Sequence, residues 1–504
     1  MNKVLFALVL AFSFITSSAL AANLEDLHKS LQNSSENVYN SISQFNDFPV
    51  PDSTDVFVQK YNAISDSLKA PYVIYIPPLY DSKSCTPLIV YLHGGVSTVD
   101  FYEGAVKSAK ENYFTEFARE QNYMMVFPMG NNETAWWNLT GIQSIDTIIK
   151  NVKTNYNVDD NRIYVSGFSD GGSGSFHLAL NSPDNFAAFY PLNGMVSVGS
   201  AVTQIPVYLP NMQNSFVYAV NTDKDGLYPA KKMRKLMNLC LLANADIFYK
   251  EYWDIGHSFD YADTELPKIF ENMSKNTRDA FPSSIYWETS LSEYGKCDWI
   301  EITEIDTLLE KQEWQKEYNT ELSDERISFG FYNEQEFNGT GIKVTKIVEE
   351  STAAKMGLLP DDIIIEMDEQ NADNIDELLE IRNAKKRGDK FELTILREGK
   401  KIVLKGQFPE IAHYNAFNYK AASGAVKAIY YGNIFEIETS RIGELALYFH
   451  PEMINTDIPI TVIINGETRL QEKIIFDNDF ILTNFNENRD RKALWINKKA
   501  FKIE

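Results

Sequence analysis

The chain has 504 residues, a length that predicts about three or four domains. With 44% hydrophobic and 13% aromatic residues it can bury a core, which excludes a disordered or collagen-like chain. Seventy acidic residues against 47 basic ones give a net charge of −23, and because this charge repels phosphate groups, nucleic acids and anionic membranes are poor partners.

The first 21 residues have the pattern of a signal peptide. Lys3 gives a short basic start, residues 4–15 form an apolar run, and Ala19-Leu20-Ala21 supplies a cleavage site with small residues. The apolar run is shorter than the roughly 20 residues that a membrane span needs. We therefore expect cleavage after Ala21, and a secreted or periplasmic protein with no membrane span.

The next part of the chain predicts helices and then an α/β domain. Residues 22–69 are polar with scattered apolar positions at helical spacing, which indicates a helical lead-in. Over residues 70–280, apolar runs such as Leu88–Leu92 alternate with helix-like stretches such as residues 105–119. This alternation is typical of an α/β fold with a mostly parallel sheet, whose ligand sites lie at the carboxyl ends of the strands.

Beyond residue 280 the alternation stops. Residues 281–322 are interpreted as a β segment and a charged linker, residues 323–410 as a compact αβ unit, and residues 411–504 as an all-β, sandwich-like domain. The β segment has no obvious partner nearby in the chain. We therefore expect residues 281–305 to pair with the C-terminal domain, with the compact unit inserted between them.

A nucleophile motif lies in the α/β domain. Residues 162–172 read Arg-Ile-Tyr-Val-Ser-Gly-Phe-Ser-Asp-Gly-Gly, an apolar strand followed by Gly-x-Ser-x-Gly and a helix start that contains glycines. The glycines leave room for the sharp turn that exposes a nucleophilic serine. The helix N-terminus behind it favours negative charge. We expect Ser169 to be a nucleophile.

A serine nucleophile needs a base, and His257 is the best placed of the six histidines. His257 lies in a loop after an aromatic strand and comes late in the chain. His93 precedes the serine, whereas the base of this fold follows it. His177 lies two turns along the helix after Ser169 and is interpreted as a packing residue.

The acid that orients the base should follow the strand at residues 217–220. Two aspartates lie there, Asp223 and Asp225. We favour Asp225, because the spacing Asp-x-x-x-Pro brings its carboxylate to the end of the loop, and Asp223 stays open as the alternative. The order serine, acid, histidine is that of the α/β hydrolases.

Backbone donors for an oxyanion are expected beside the nucleophile. His93-Gly94-Gly95 follows the strand Leu88–Leu92, and glycines let backbone N–H groups approach a substrate. The N–H groups of Gly94 or Gly95, together with that of Asp170, are the candidate oxyanion hole.

These motifs give residues 70–275 a resemblance to secreted α/β-hydrolase esterases similar to polyhydroxybutyrate depolymerases and feruloyl esterases. The resemblance implies hydrolysis of a carboxylic ester, either a small molecule or one linked to a polysaccharide, through an acyl-enzyme without metal or cofactor. Peptidases of the prolyl-oligopeptidase type share the serine motif, so a serine peptidase is an alternative. No propeller-like repeat precedes the motif here, which counts against that class.

The compact unit resembles a bacterial PDZ domain. The resemblance rests on residues 341–347, 351–364 and 391–399. Two positions depart from the family pattern: Asp361 stands where glycine is usual, and Thr352 where proline is common.

Phe329-Gly330-Phe331 is similar to the PDZ loop whose N–H groups capture a peptide C-terminus. The resemblance therefore implies a peptide C-terminus as ligand, bound as an added strand. A structural spacer is the alternative role of this unit, and a non-catalytic PDZ adaptor is the alternative for the whole chain.

The cysteine count excludes a disulfide scaffold and a cysteine metal cluster. There are three, Cys85, Cys240 and Cys297. Export would permit one disulfide bond and leave one thiol. Cys240 lies in an apolar stretch and is interpreted as a small buried hydrophobic residue.

Overall fold

The computed structural model describes residues 35–503 except Ser67, Tyr102 and Glu336. The chain divides into two compact units: Glu321–Ala416 form the smaller one, and the chain on both sides of it forms the larger one. The expected signal peptide and its cleavage site lie outside the described residues. In the described part of the chain, no helix is long and apolar enough to cross a membrane.

An eight-stranded sheet forms the centre of the larger unit. Its strands are β1 (Val56–Ala63), β2 (Lys69–Ile76), β3 (Thr86–Leu92), β4 (Met124–Pro128), β5 (Val158–Phe168), β6 (Ala188–Leu192), β7 (Phe216–Thr222) and β8 (Ile247–Tyr252). They lie in the order β1-β2-β4-β3-β5-β6-β7-β8, and β3 to β8 run parallel. All residues of β3 and β4 are buried, because both faces of such a sheet are covered. The predicted α/β fold with a mostly parallel sheet is confirmed.

Eleven α-helices are found among the described residues. They are α1 (Ser35–Ser43), α2 (Ala105–Lys110), α3 (Tyr113–Glu120), α4 (Leu139–Asn155), α5 (Asp170–Asn181), α6 (Val198–Thr203), α7 (Ala230–Leu242), α8 (Ala262–Lys275), α9 (Thr352–Met356), α10 (Ile375–Asn383) and α11 (Asn478–Asn488). Helix α4 shows why they form. The Asn138 side chain accepts a hydrogen bond from the Gly141 N–H at 2.7 Å, and Ile142, Ile145 and Ile149 recur on one buried face.

Apolar spacing predicts a helical lead-in over residues 22–69, but within its described residues, from 35 onward, only the first part is helical. Helix α1 is present, but residues 56–63 form strand β1, which pairs antiparallel with β2. Strand β1 begins with Val-Phe-Val, and β-branched and aromatic side chains favour a strand. Pairing with the edge of β2 therefore decided the structure of this segment.

Seventeen further strands form four smaller sheets in the described residues. They are β9 (Ser284–Thr289), β10 (Lys296–Cys297), β11 (Ile300–Ile305), β12 (Glu321–Asp324), β13 (Phe331–Asn333), β14 (Ile342–Ile347), β15 (Ile363–Met367), β16 (Gln370–Asn371), β17 (Lys390–Arg397), β18 (Lys400–Gln407), β19 (Ala412–Asn415), β20 (Gly424–Tyr431), β21 (Ile434–Ser440), β22 (Ile442–Phe449), β23 (Ile460–Ile464), β24 (Glu467–Glu472) and β25 (Asn497–Lys502).

Two of these sheets form a β lobe in the larger unit. One has the order β10-β11-β22-β25, the other β24-β23-β21-β20-β9. Strand β9 pairs with β20 and β11 with β22, so chain from before and after the smaller unit builds the same sheets. The sheets share one apolar core, in which Trp287 and Trp299 are fully buried.

The C-terminal region is β-rich but not all-β, because helix α11 lies within it. The Asp477 side chain accepts a hydrogen bond from the Phe480 N–H and so caps this helix. Ile481 and Phe485, four residues apart, are buried in the core of the β lobe. The expectation of an all-β domain is corrected at this helix.

A buried cluster of charged side chains joins the two parts of the larger unit. Asp490 lies 2.7 Å from Arg278 and 3.4 Å from Lys153, and Asp160 lies 3.1 Å from Lys153 and 2.9 Å from Arg491. All five side chains are at most 9% exposed. Burial opposes ionisation of Asp490, but the two cations hold the pKa of its carboxyl well below its usual range.

The smaller unit is built on a sheet in the order β13-β14-β15-β17-β18, with β16 paired to β15. Its core contains three phenylalanines in mutual contact, Phe329, Phe391 and Phe408. Its first and last strands, β12 and β19, pair with each other. The two ends of the unit therefore lie side by side.

The larger unit holds together the two points where the smaller unit is inserted. The Asn319 side chain donates from Nδ2 to the Phe417 carbonyl at 2.9 Å and accepts from the Phe417 N–H at 3.1 Å. The Asn319 side chain thus forms hydrogen bonds with both the N–H and the carbonyl group of Phe417, on the other side of the insertion.

Candidate functional site

The candidate nucleophile lies at a strained turn between β5 and α5. Ser169 has φ 62° and ψ −120°, a left-handed conformation that non-glycine residues rarely adopt. The turn is tightly packed, because a Cβ at Gly171 would lie 1.9 Å from the Leu92 carbonyl oxygen. The glycines beside Ser169 are therefore required by the close approach of α5 to β3.

The structure brings the predicted serine, histidine and aspartate together. His257 Nε2 lies 2.8 Å from Ser169 Oγ, and His257 Nδ1 lies 2.7 Å from Asp225 Oδ2. With the ring proton on Nδ1, His257 donates to Asp225 and accepts from the Ser169 hydroxyl. The alternative acid, Asp223, instead accepts a long hydrogen bond from the Ile255 N–H at 3.4 Å.

Asp225 is buried and receives four hydrogen bonds. Its Oδ1 accepts from the N–H groups of Leu227 and Tyr228, each at 2.8 Å, and its Oδ2 accepts from Asn193 as well as His257. Burial raises the pKa of the Asp225 carboxyl, but these donors outweigh it and the net pKa is lowered. The carboxylate is therefore held ionised and in one orientation.

Asn193 is a site residue that sequence reasoning missed. It is fully buried after β6, at φ 43°, and its Nδ2 donates to Asp225 Oδ2 at 2.9 Å and to the Thr222 hydroxyl at 2.6 Å. Its Oδ1 accepts from the Tyr261 hydroxyl at 2.7 Å. The only local signal is an Asn-Gly pair after an apolar strand, which predicts a turn but no role at the site.

The predicted oxyanion loop lies directly against the nucleophile. A Cβ at Gly94 would lie 3.0 Å from the Ser169 Cβ, and Gly95 has φ +70°, so both positions favour glycine. His93 fixes this loop rather than taking part in proton transfer, since its Nδ1 lies 2.7 Å from the Gly94 carbonyl oxygen and its Nε2 accepts from the Gly130 N–H. Burial lowers the pKa of His93.

The structure also shows a buried histidine, a buried tryptophan and the three cysteines. His177 is buried in α5 and packs against Tyr294, and burial lowers its pKa to about 4. Trp136 is buried in the core and donates to the His93 carbonyl at 2.9 Å. The sulfur atoms of Cys85, Cys240 and Cys297 form no disulfide bond.

The PDZ-like loop has the geometry that its glycine predicts. Gly330 has φ +79°, and a Cβ there would lie 2.3 Å from the Ser351 Cβ, so no larger residue fits. Phe329 is buried in the core, and Phe331 begins β13, the first strand in the order of the sheet. Asp361, which replaces the usual glycine, adopts φ 69°, a conformation that aspartate tolerates better than most residues.

Thr352, the other departure from the family pattern, is the first residue of α9. The preceding Ser351 accepts a hydrogen bond from the Ala354 N–H and caps the helix. Proline is favoured at a first helical position because its missing N–H would have no helical partner there. Threonine leaves the helix start intact.

Comparison with known families agrees with this fold and these motifs. Residues 60–289 match the model of the dienelactone hydrolase family, and residues 318–405 match that of the PDZ domain. The larger unit thus contains an α/β-hydrolase domain. The chain carries a domain of the dienelactone hydrolase family followed by a PDZ domain, and both predicted resemblances are confirmed.

Curated relatives of the α/β-hydrolase domain are named as esterases and a depolymerase. The chain is 29% identical over 125 residues to the bifunctional acetylxylan esterase/xylanase XynS20E of Neocallimastix patriciarum, covering 24% of this chain and 18% of that protein. It is 32% identical over 121 residues to poly(3-hydroxyalkanoate) depolymerase C of Paucimonas lemoignei, covering 21% and 28%. It is 31% identical over 133 residues to probable feruloyl esterase C of Aspergillus oryzae, covering 25% and 47%. The chain spans less than half the length of each of these relatives.

Proposed function

We propose that the protein is an exported serine hydrolase that cleaves carboxylic esters. The observation that carries the proposal is the continuous hydrogen-bonded path from Ser169 Oγ through His257 to Asp225. The names of the relatives support an ester rather than a peptide as substrate. Export rests on the composition of residues 1–21 alone.

In the proposed mechanism Ser169 Oγ attacks the acyl carbon while its proton passes to His257 Nε2. Asp225 stabilises the imidazolium that forms and keeps its ring in place. The backbone N–H of Asp170, with that of Gly94 or Gly95, binds the oxyanion of the tetrahedral intermediate. When the intermediate collapses, the alcohol leaves with the proton from His257.

The acyl-enzyme is then hydrolysed by the reverse use of the same groups. His257 Nε2 takes a proton from a water molecule, whose oxygen attacks the acyl carbon. A second tetrahedral intermediate releases the carboxylic acid and returns the proton to Ser169 Oγ. Within the protein, only Ser169 and His257 gain or lose a proton during the cycle, while Asp225 stays ionised.

A panel of substrates tests this function. We expect the purified chain to hydrolyse aryl acetates and feruloyl esters and to leave peptides intact, with Ser169→Ala as the blank in each assay. A fluorophosphonate probe should label the wild type and not the variant. Hydrolysis of peptides without esters would favour the serine peptidase, and absence of labelling would favour the non-catalytic adaptor.

We further propose that the PDZ domain binds peptides through their C-terminal carboxylate at Phe329-Gly330-Phe331. The supporting observation is the left-handed Gly330 beside the edge strand β13, since such a turn can direct backbone N–H groups at an anion. In a peptide array, sequences with a free C-terminus should bind the full chain and their C-terminal amides should not. Equal binding of both forms would contradict recognition through the carboxylate, and binding of neither form would favour a spacer.

A further inference from the structure

The side chain of Asp170 connects three parts of the candidate active site. This residue follows Ser169 and begins helix α5. Its Oδ2 accepts a hydrogen bond from the Val96 N–H at 3.1 Å, and its Oδ1 accepts one from the Tyr228 hydroxyl at 2.9 Å. The two partners come from different loops, far apart in the chain.

Both partners lie next to groups of the proposed mechanism. Val96 is fully buried and follows Gly94 and Gly95, the candidate oxyanion donors. Tyr228 donates its own backbone N–H to Asp225 Oδ1 at 2.8 Å. Its ring also packs edge-on against His257, with 5.7 Å between the ring centroids.

The negative charge of Asp170 is unexpected beside an oxyanion site. A carboxylate near a developing oxyanion repels it, so electrostatics alone disfavours an acid here. The N-terminus of α5 and two hydrogen-bond donors offset this cost. Hydrogen bonds to a charged acceptor are about twice as strong as those to a neutral one, so a carboxylate fixes both loops more firmly than an amide or a hydroxyl would.

We propose that Asp170 is a positioning residue, whose carboxylate holds the oxyanion loop (Gly94–Val96) and the acid loop (Asp225–Tyr228) at fixed distances from Ser169. This role is additional to that of its backbone N–H, and it rests on the proposed function. In this role the side chain of Asp170 does not touch the substrate, which contacts the two loops instead. Loss of the carboxylate should therefore affect the transition state more than the binding of substrate.

The test is Asp170→Asn in the full-length chain. The amide has nearly the same shape but only one oxygen and no charge. With that oxygen on the Val96 N–H, its NH₂ group meets the Tyr228 hydroxyl as a donor, so that hydrogen bond is reversed and neither contact keeps a charged acceptor. We expect kcat for an aryl acetate to fall by about 10- to 100-fold while KM changes by less than about threefold. Inhibition by a trifluoromethyl ketone, whose adduct carries the oxyanion, should weaken in parallel with the fall in kcat/KM.

Two further variants complete the design. Tyr228→Phe removes one of the two hydrogen bonds and leaves the charge, so kcat should fall by a smaller factor at unchanged KM, and this variant carries the test if Asp170→Asn does not fold. Asp100→Asn changes an exposed acid four residues after Val96 in the chain and should behave as wild type. The double variant Asp170→Asn/Tyr228→Phe should lose less than the product of the two single losses, because both changes weaken the contact between residues 170 and 228.

The outcomes separate this inference from the proposed function. If the wild type hydrolyses esters but both single variants keep its kcat and its inhibition by the ketone, the positioning role is wrong and the esterase stands. A rise in KM alone would also contradict the role, since it would place Asp170 in substrate binding. If the wild type hydrolyses no ester and takes no fluorophosphonate, both proposals are wrong.

Discussion

Replacing Asp225 by Asn is expected to lower kcat for ester hydrolysis by about 10⁴-fold, the effect known for the acid of a serine protease triad. The backbone N–H groups of Leu227 and Tyr228 donate to Oδ1, so the single oxygen of an asparagine would stay with them. Its NH₂ group would then face His257 Nδ1. The ring would have to accept there and carry its proton on Nε2, where it could no longer accept the proton of Ser169.

Asp223→Asn is the matched control, because it makes the same chemical change two residues away. Its carboxylate accepts only a long hydrogen bond from the Ile255 N–H among those described. We expect this variant to keep the wild-type kcat, and both variants to keep the wild-type circular dichroism spectrum. The reverse pattern of activities would make Asp223 the acid and would contradict the assignment.

Replacing Asp490 by Ala is expected to lower the free energy of unfolding by about 3–5 kcal/mol. The change would remove the carboxylate that pairs with buried Arg278, and one of the two carboxylates that pair with buried Lys153. It would also remove the acceptor for the backbone N–H groups of Lys492 and Ala493. Urea denaturation followed by tryptophan fluorescence measures the loss, and Glu271→Gln, which breaks an exposed ion pair on α8, should cause no measurable change.

The loss of unfolding free energy caused by Asp490→Ala should depend on pH in a defined direction. The pKa of Asp490 is lowered in the folded chain, so its contribution is complete above the pKa of an unfolded aspartate, about 3.9, and fades as the pH falls toward the lower folded value. The difference between wild type and Asp490→Ala should therefore be constant from pH 5 to 8 and shrink below about pH 4. A difference that shrank toward alkaline pH would show that another group carries the effect.

The parts of the site that sequence could predict are those set by short-range geometry. Ser169 is marked by the glycines that its turn requires, and the acid and the histidine follow from their order after two strands. The choice between Asp223 and Asp225 could not be made with certainty, because both lie in one loop and the direction of each carboxylate depends on its backbone partners. Asn193 carries no motif, since its role comes from Thr222 and Tyr261, which only the folded sheet brings near it.

The same distinction explains where the fold departs from expectation. Apolar strands such as β3 and β4 could be predicted because complete burial leaves an uninterrupted apolar run. Residues 56–63 were missed because the apolar spacing that predicts a helix lies earlier, at residues 24–42. Their own start, Val-Phe-Val, favours a strand, and it pairs with the edge of β2. Helix α11 was not predicted, because strands surround it in the sequence. Its N-cap residue, Asp477, is a weak signal, since aspartate is also common in loops.

The clasp formed by Asn319 and Phe417 has a consequence for chain entropy. To the larger unit, the whole PDZ domain is a loop whose two ends are already held together. The entropic cost of closing a loop grows only with the logarithm of its length, about 0.6 kcal/mol for each doubling. The stability of the α/β-hydrolase domain and the β lobe should therefore depend little on the length of the chain inserted between residues 320 and 417. At this junction one recognition domain could be exchanged for another without changes elsewhere in the enzyme.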